Sequence, residues 1–201
     1  MKRRTSVAAI GTWLCGGCAH GSGPTPSYGI VVDYNLLPGA SMKQGIAAVS
    51  DTGQTLFSPA QLRPRTATSR ENGAGRNAYG GGSVPRWVRV TWREGDWYRP
   101  YGRAGWTGGV VVGDHRIEVA SRIPREVLAS AAVRGHALRL VFWLADDSVL
   151  LAWDVEAAVG GTTWRYSMHG GDFVEPTVFN GKLVEPGWYL TPDGHKVVID
   201  R

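Results

Sequence analysis

The stretch ALRLVFWLADDSVLLAWDV, residues 137–155, decides the fold. Its two apolar runs, Ala137–Ala145 and Val149–Val155, are too short for ordinary helices and rich in β-branched and aromatic residues, so they read as strands. Their nearly continuous apolar character places them centrally in a sheet, with both faces covered. Asp146-Asp147-Ser148 joins them as a tight turn. That role accounts for the two aspartates better than paired-carboxylate or calcium chemistry does.

Upstream, Pro124 suits a helix start, Glu126 its first turn and Gly135 the left-handed residue that ends it, so one helix is predicted there. Ile123, Val127, Leu128, Ala131 and Ala132 form its apolar stripe. Arg86–Arg93 alternates, with Val88, Val90 and Trp92 on one face and Trp87, Arg89, Thr91 and Arg93 on the other. Glu94-Gly95-Asp96 is read as a turn, and Trp106–Val112 and His115–Ala120 as a hairpin about Gly113-Asp114. Tyr28–Leu36, Gln44–Val49 and Gln54–Phe57 are further strands. Arg63–Gly82, poor in large apolar residues, is expected to be a long mobile loop. Downstream, Thr162–Ser167 and Phe173–Phe179 are weaker strands, and Tyr189–Ile199 is a hairpin with Pro192 and Gly194 in its turn. The expected fold class is mainly β, or α+β: a single antiparallel β-sandwich or strongly bent sheet with one packed helix, in one domain over residues 28–201.

The N-terminus has the anatomy of an export signal. Lys2, Arg3 and Arg4 supply charge, and Val7–Leu14 is an apolar run far below the roughly 20 residues of a membrane-spanning helix. Gly16-Gly17-Cys18 resembles a bacterial lipobox, in which the cysteine thiol receives diacylglycerol before cleavage. Residues 1–17 are therefore expected to be removed, Cys18 to be lipidated and residues 18–27, rich in Gly, Pro and Ser, to act as a tether. Two readings compete: an ordinary secretory signal cut near Ala19 or Gly21, and a plain N-terminus that happens to be basic and apolar. Ala19 resembles the residue that follows the cysteine in outer-membrane lipoproteins, implying the inner leaflet of that membrane, facing the periplasm. Cys15 and Cys18 are the only cysteines, so a processed chain has no disulfide. Three of the 22 Lys and Arg residues lie in the signal, leaving 19 against 17 acidic residues. That near balance gives no electrostatic case for nucleic-acid binding.

Nucleophile elbows, metal-binding helix motifs and phosphate loops are not found in the sequence, and the five histidines are scattered beside turn residues. No catalytic residue, metal site or cofactor is predicted. The exception to this plainness is Arg86–Trp106, where aromatic residues and arginines alternate in the mixture enriched at interface hot spots. Trp87, Arg89, Arg93, Trp97, Tyr98, Arg99 and Trp106 are the candidate partner-binding residues. A purely structural role, with Trp92 and its neighbours filling the core, fits the same pattern.

The lipobox, Val32-x-Tyr34-Asn35, the Gly80–Gly82 break and Pro85 leading into Val88-x-Val90-x-Trp92 together resemble small Gram-negative lipoproteins of unknown function. Some of these act as immunity proteins against type VI secretion effectors of the phospholipase type. The resemblance implies a non-enzymatic, membrane-anchored protein that binds a secreted effector. A structural or assembly lipoprotein of the envelope or of a secretion apparatus is the alternative, and a carbohydrate-binding or hydrolytic module using Trp87, Trp97 and Trp106 is a third reading.

Overall fold

The computed structural model describes residues 28–64, 74–158, 164–174, 177–179, 182–185, 187–190 and 195–199. The expected signal, Cys18 and the tether fall on residues 1–27, outside the described residues. Among the described residues sixteen strands follow in chain order: β1 Tyr28–Leu36, β2 Lys43–Gln44, β3 Ala47–Ser50, β4 Thr55–Phe57, β5 Gln61–Leu62, β6 Ala74–Gly82, β7 Trp87–Tyr98, β8 Thr107–Glu118, β9 His136–Leu144, β10 Val149–Ala158, β11 Trp164–Gly171, β12 Phe173–Val174, β13 Thr177–Phe179, β14 Lys182–Glu185, β15 Gly187–Leu190 and β16 Lys196–Ile199. The fold is mainly β. A 3-10 turn at Ala120–Arg122 leads into the helix α1, Arg125–Ala131.

Two sheets dominate. The larger has the order β11-β10-β9-β1-β6 and the smaller β4-β3-β7-β8. β9 and β10 pair as an antiparallel hairpin from Val149↔Leu144 to Ala157↔His136, and Ala145 closes the turn by donating its N–H to Ser148 O at 2.9 Å. β1 lies parallel to β9, Ile30 opposite Leu138 and Leu36 opposite Leu144, so the expected all-antiparallel arrangement gives way to a mixed sheet. The reason is topological: parallel neighbours need a long crossover, and between β1 and β9 the chain builds the whole smaller sheet and α1.

Leu138, Leu140, Phe142 and Leu144 of β9 and Ile30, Val32 and Leu36 of β1 turn one way. They share a single buried cluster with Ile46, Ala48, Val88, Val90, Trp92 and Ile117 of the smaller sheet and its approach. Phe57 joins the layers, stacked on Tyr34 at 4.5 Å and tilted against Phe142 at 5.7 Å. Each such side chain contributes about 1.5–3 kcal/mol on burial. Val127 and Ala131 of α1 enter the same cluster, whereas Ala132, expected in the apolar stripe, is exposed. The opposite face of the larger sheet is also covered, Val141, Trp143 and Ala152 packing with Phe173. The continuous apolar character of β9 and β10 thus reflects burial on both faces.

Four sequence expectations are corrected. Gln44–Val49 is two strands, β2 and β3, because Gly45 takes φ +51 and brings the backbone under the Trp97 ring. Residues 74–82 of the expected loop form β6, paired antiparallel to β1 from Tyr28↔Gly82 to Asn35↔Ala74; residues 65–73 lie outside the described residues. This strand is held by backbone pairing and by Asn77 Nδ2 donating to Leu56 O at 2.9 Å, so apolar content is a poor guide to it. Glu94-Gly95-Asp96 is no hairpin turn but part of a register shift inside β7. The expected Trp106–Ala120 hairpin is instead one strand, β8, running straight through Gly113-Asp114 and pairing with β7.

Candidate functional site

The alternation of β7 sends Val88, Val90 and Trp92 into the core and leaves Trp87, Arg89, Thr91 and Arg93 on the outer face of the smaller sheet. β3 adds Ala47 and Val49 on one side, and β8 adds Val111 and Asp114 on the other. Together they line an open groove of about 540 Å³. Its lining mixes apolar Ala47, Val49, Trp87 and Val111 with Thr91, Arg89 and Arg93, and ion pairs flank it. Arg89 holds Asp114 with two parallel bonds, Nε to Oδ1 at 2.7 Å and Nη2 to Oδ2 at 2.5 Å, a fork geometry that fixes both side chains. The Arg89 hydrogen bond keeps the Asp114 carboxyl below the usual carboxylate range. Trp87 is half-buried, its ring covered by the Arg116 guanidinium at 4.6 Å. At the near end, Asp51 accepts from Arg86 Nε at 2.8 Å, and its pKa is lowered by that bond.

The other predicted residues gather elsewhere. Trp97 meets Trp106 edge-on at 4.8 Å and donates its Nε1–H to Gln44 Oε1 at 3.1 Å. Arg99 lies over the Trp106 ring at 4.2 Å and donates to Ser58 O and Oγ. These three clamp the β7–β8 hairpin tip to the β2 and β4 regions. Tyr98 points away, 61% exposed. Arg93 stands between the two groups, lining the groove while its Nη1 donates to Gly108 O at 2.7 Å. The seven candidates are therefore a groove group, Trp87, Arg89 and Arg93, and a tip group, Trp97, Arg99 and Trp106, with Tyr98 alone on the surface.

Two charged clusters were not foreseen from the sequence, where Asp146 of the first reads as a turn residue. Lys43, 5% exposed, donates to Ser41 O at 3.2 Å, pairs with Asp146 and lies 5.6 Å from the Trp92 ring. Asp146 also accepts from Ser41 N at 2.9 Å, and the Lys43 bond lowers its pKa. On the covered face of the larger sheet, Arg139 joins Asp33 at 3.0 Å and pairs with Asp154, while His169 Nδ1 sits 3.5 Å from Asp154 Oδ2 and the Tyr166 ring lies 4.3 Å under the guanidinium. Burial pushes the Asp154 pKa up, but hydrogen bonds from His169 and Arg139 outweigh it, and the net shift is downward. The signal was present: Asp33, Arg139 and Asp154 interrupt the three most apolar strands in the phase opposite the core residues. Two of the histidines that stand beside turn residues in the sequence lie within strands, His115 stacking on Trp92 at 4.9 Å in β8 and His169 in β11.

Among the described residues no group of three or more His, Cys, Asp or Glu side chains converges as a metal site, and no helix is long and apolar enough to cross a membrane. Comparison of the chain with protein-family models, with curated proteins and with solved structures finds no match.

Proposed function

We propose that this chain is a lipid-tethered, non-enzymatic binding protein of the cell envelope, whose partner is another protein docked on the outer face of the smaller sheet. The observation that carries the reading is the groove, which combines Trp87, Arg89 and Val111 from two strands on an open, rigid β surface. Trp and Arg dominate interface hot spots because a flat ring and a planar cation bury large area with few freely rotating bonds lost. The bidentate Arg89–Asp114 pair holds the charged wall in place before binding, which lowers the ordering cost of association.

The sequence supports the tether: a lipobox-like Gly16-Gly17-Cys18 and a Gly/Pro/Ser-rich segment at 18–27 suit attachment at the outer-membrane inner leaflet, facing the periplasm. The partner class we assign is a secreted effector of the phospholipase type, whose action the protein blocks by covering its active-site entrance. Co-expression tests it. Cells producing a toxic envelope-directed product of an adjacent gene survive when the wild-type chain is present and die with the Arg89→Glu variant. Failure of the wild type to rescue against any neighbouring product refutes the effector reading.

A further inference from the structure

β8 is the last strand of the smaller sheet, twelve residues long, and among the described residues no strand pairs with its free edge. Such an edge is a template for strand addition, which natural proteins usually block with charge, bulges or covering segments. Here Val110 and Val112 remain 67% and 46% exposed, and the neighbouring Asp114, Arg116 and Glu118 are exposed as well.

The hydrogen-bonding phase of the strand says which backbone groups are free. Val119 donates its N–H to Arg86 O at 2.9 Å, so residue 119 faces β7, and the register between β7 and β8 is unbroken from Glu118 back to Gly113. By the alternation of an antiparallel ladder, the amide and carbonyl groups of Asp114, Arg116 and Glu118 point outward from the sheet. The side chains of these three residues stand on its outer face, in the order acid, base, acid; within one copy Asp114 is bonded to Arg89 and Arg116 to Glu118, so pairing across a seam adds to or exchanges these contacts. That order is self-complementary when reversed about His115.

We infer that β8 is the seam of a two-fold homodimer, in which the free edges of two copies pair antiparallel about His115. Asp114 of one copy then lies opposite Arg116 of the other, and the reverse, in pairs that exchange both backbone hydrogen bonds. The two smaller sheets join into one continuous eight-stranded sheet. An axis at Arg116 instead would set Arg116 opposite Arg116, and Asp114 opposite Glu118. An axis at Ile117 would bring Asp114 opposite Ala120, which has left the strand for the 3-10 turn. Of these three axes, that at His115 alone sets both Asp114 and Arg116 opposite a strand residue of opposite charge, with Glu118 opposite Val112. The seam borders the groove of the proposed partner surface and shares Asp114 with it, but sedimentation reads dimerisation in the absence of any other protein.

Sedimentation velocity on the full chain carrying Cys18→Ser, so that no acyl chain drives association, tests it. The dimer mass, twice 21.7 kDa, is expected. Asp114→Arg and Arg116→Asp each sediment as monomers, because each sets like charges face to face. An equal mixture of the two variants regains the doubled mass, since one copy then offers two cations and the other two anions. A monomeric parent chain, or single variants that remain dimeric, overturns the proposal. Dimerisation that survives Asp114→Arg but not Arg116→Asp overturns the His115 axis.

Discussion

Trp92 and Gly113 face each other across the β7–β8 pair, and the indole fills the space that any side chain at residue 113 would need. Trp92 is a buried core residue and Gly113 has ordinary extended backbone, so the glycine is required here for room and not for an unusual dihedral angle. Gly113→Val is expected to push the ring off its site and cost about 1–3 kcal/mol, as overpacking does. Thermal unfolding checks this: a melting temperature several degrees lower is predicted, and an unchanged one contradicts the packing described.

The same pair shows where the sequence was legible and where it was not. Gly113-Asp114 has the composition of a turn, and only its partner strand reveals that the glycine makes way for an indole. β1, β4, β9 and β10 were readable because long-range packing agrees with their local pattern. β6 was not, since the sequence of Ala74–Gly82 is poor in large apolar residues and the strand is recognisable from its backbone pairing with β1. Within the candidate site, the outward phase of Trp87, Arg89 and Arg93 followed from alternation. The withdrawal of Trp97, Arg99 and Trp106 into a clamp did not, because it depends on Gln44, Gly45 and Ser58 arriving from distant strands.

Asp154 makes the fold sensitive to acid. Its folded-state pKa is depressed, so its stabilising effect is fully present above the ordinary carboxylate pKa of about 3.9 and is lost as pH falls through the lower folded value. Asp154→Asn leaves the partly buried Arg139 with Asp33 as its remaining carboxylate and removes the partner of His169, at a cost of about 2–3 kcal/mol near neutrality. Denaturant titrations of both proteins should show that difference at pH 7 and a steady narrowing below about pH 4. A gap that widens on acidification would contradict the assignment.

The Lys43–Asp146 pair predicts an asymmetry between its two ends. Lys43 is buried and Asp146 is half in solvent, so Asp146→Ala strands a buried ammonium, whereas Lys43→Met replaces it with an apolar chain of similar length. Asp146→Ala should lower the denaturation midpoint more than Lys43→Met does. The reverse order would show that the ammonium is not desolvated.

The separation of groove and tip predicts two classes of variant. Trp97→Ala should speed amide exchange at residues 99–106 and leave partner affinity nearly intact, because Trp97 packs against Trp106 and not into the groove. Trp87→Ala and Arg89→Ala should retain the wild-type exchange pattern and weaken the partner by about 10- to 100-fold, the range of a hot-spot truncation. Isothermal titration beside hydrogen exchange separates the two.

Site-specific photocross-linking in cells that carry the neighbouring genes reports directly on where the partner sits. A photoreactive residue at Thr91, in the middle of the groove, should capture one secreted protein. The same residue at the exposed Ala129 of α1 should capture none. No adduct from residue 91, or the same adduct from both positions, would contradict docking on the outer face of the smaller sheet.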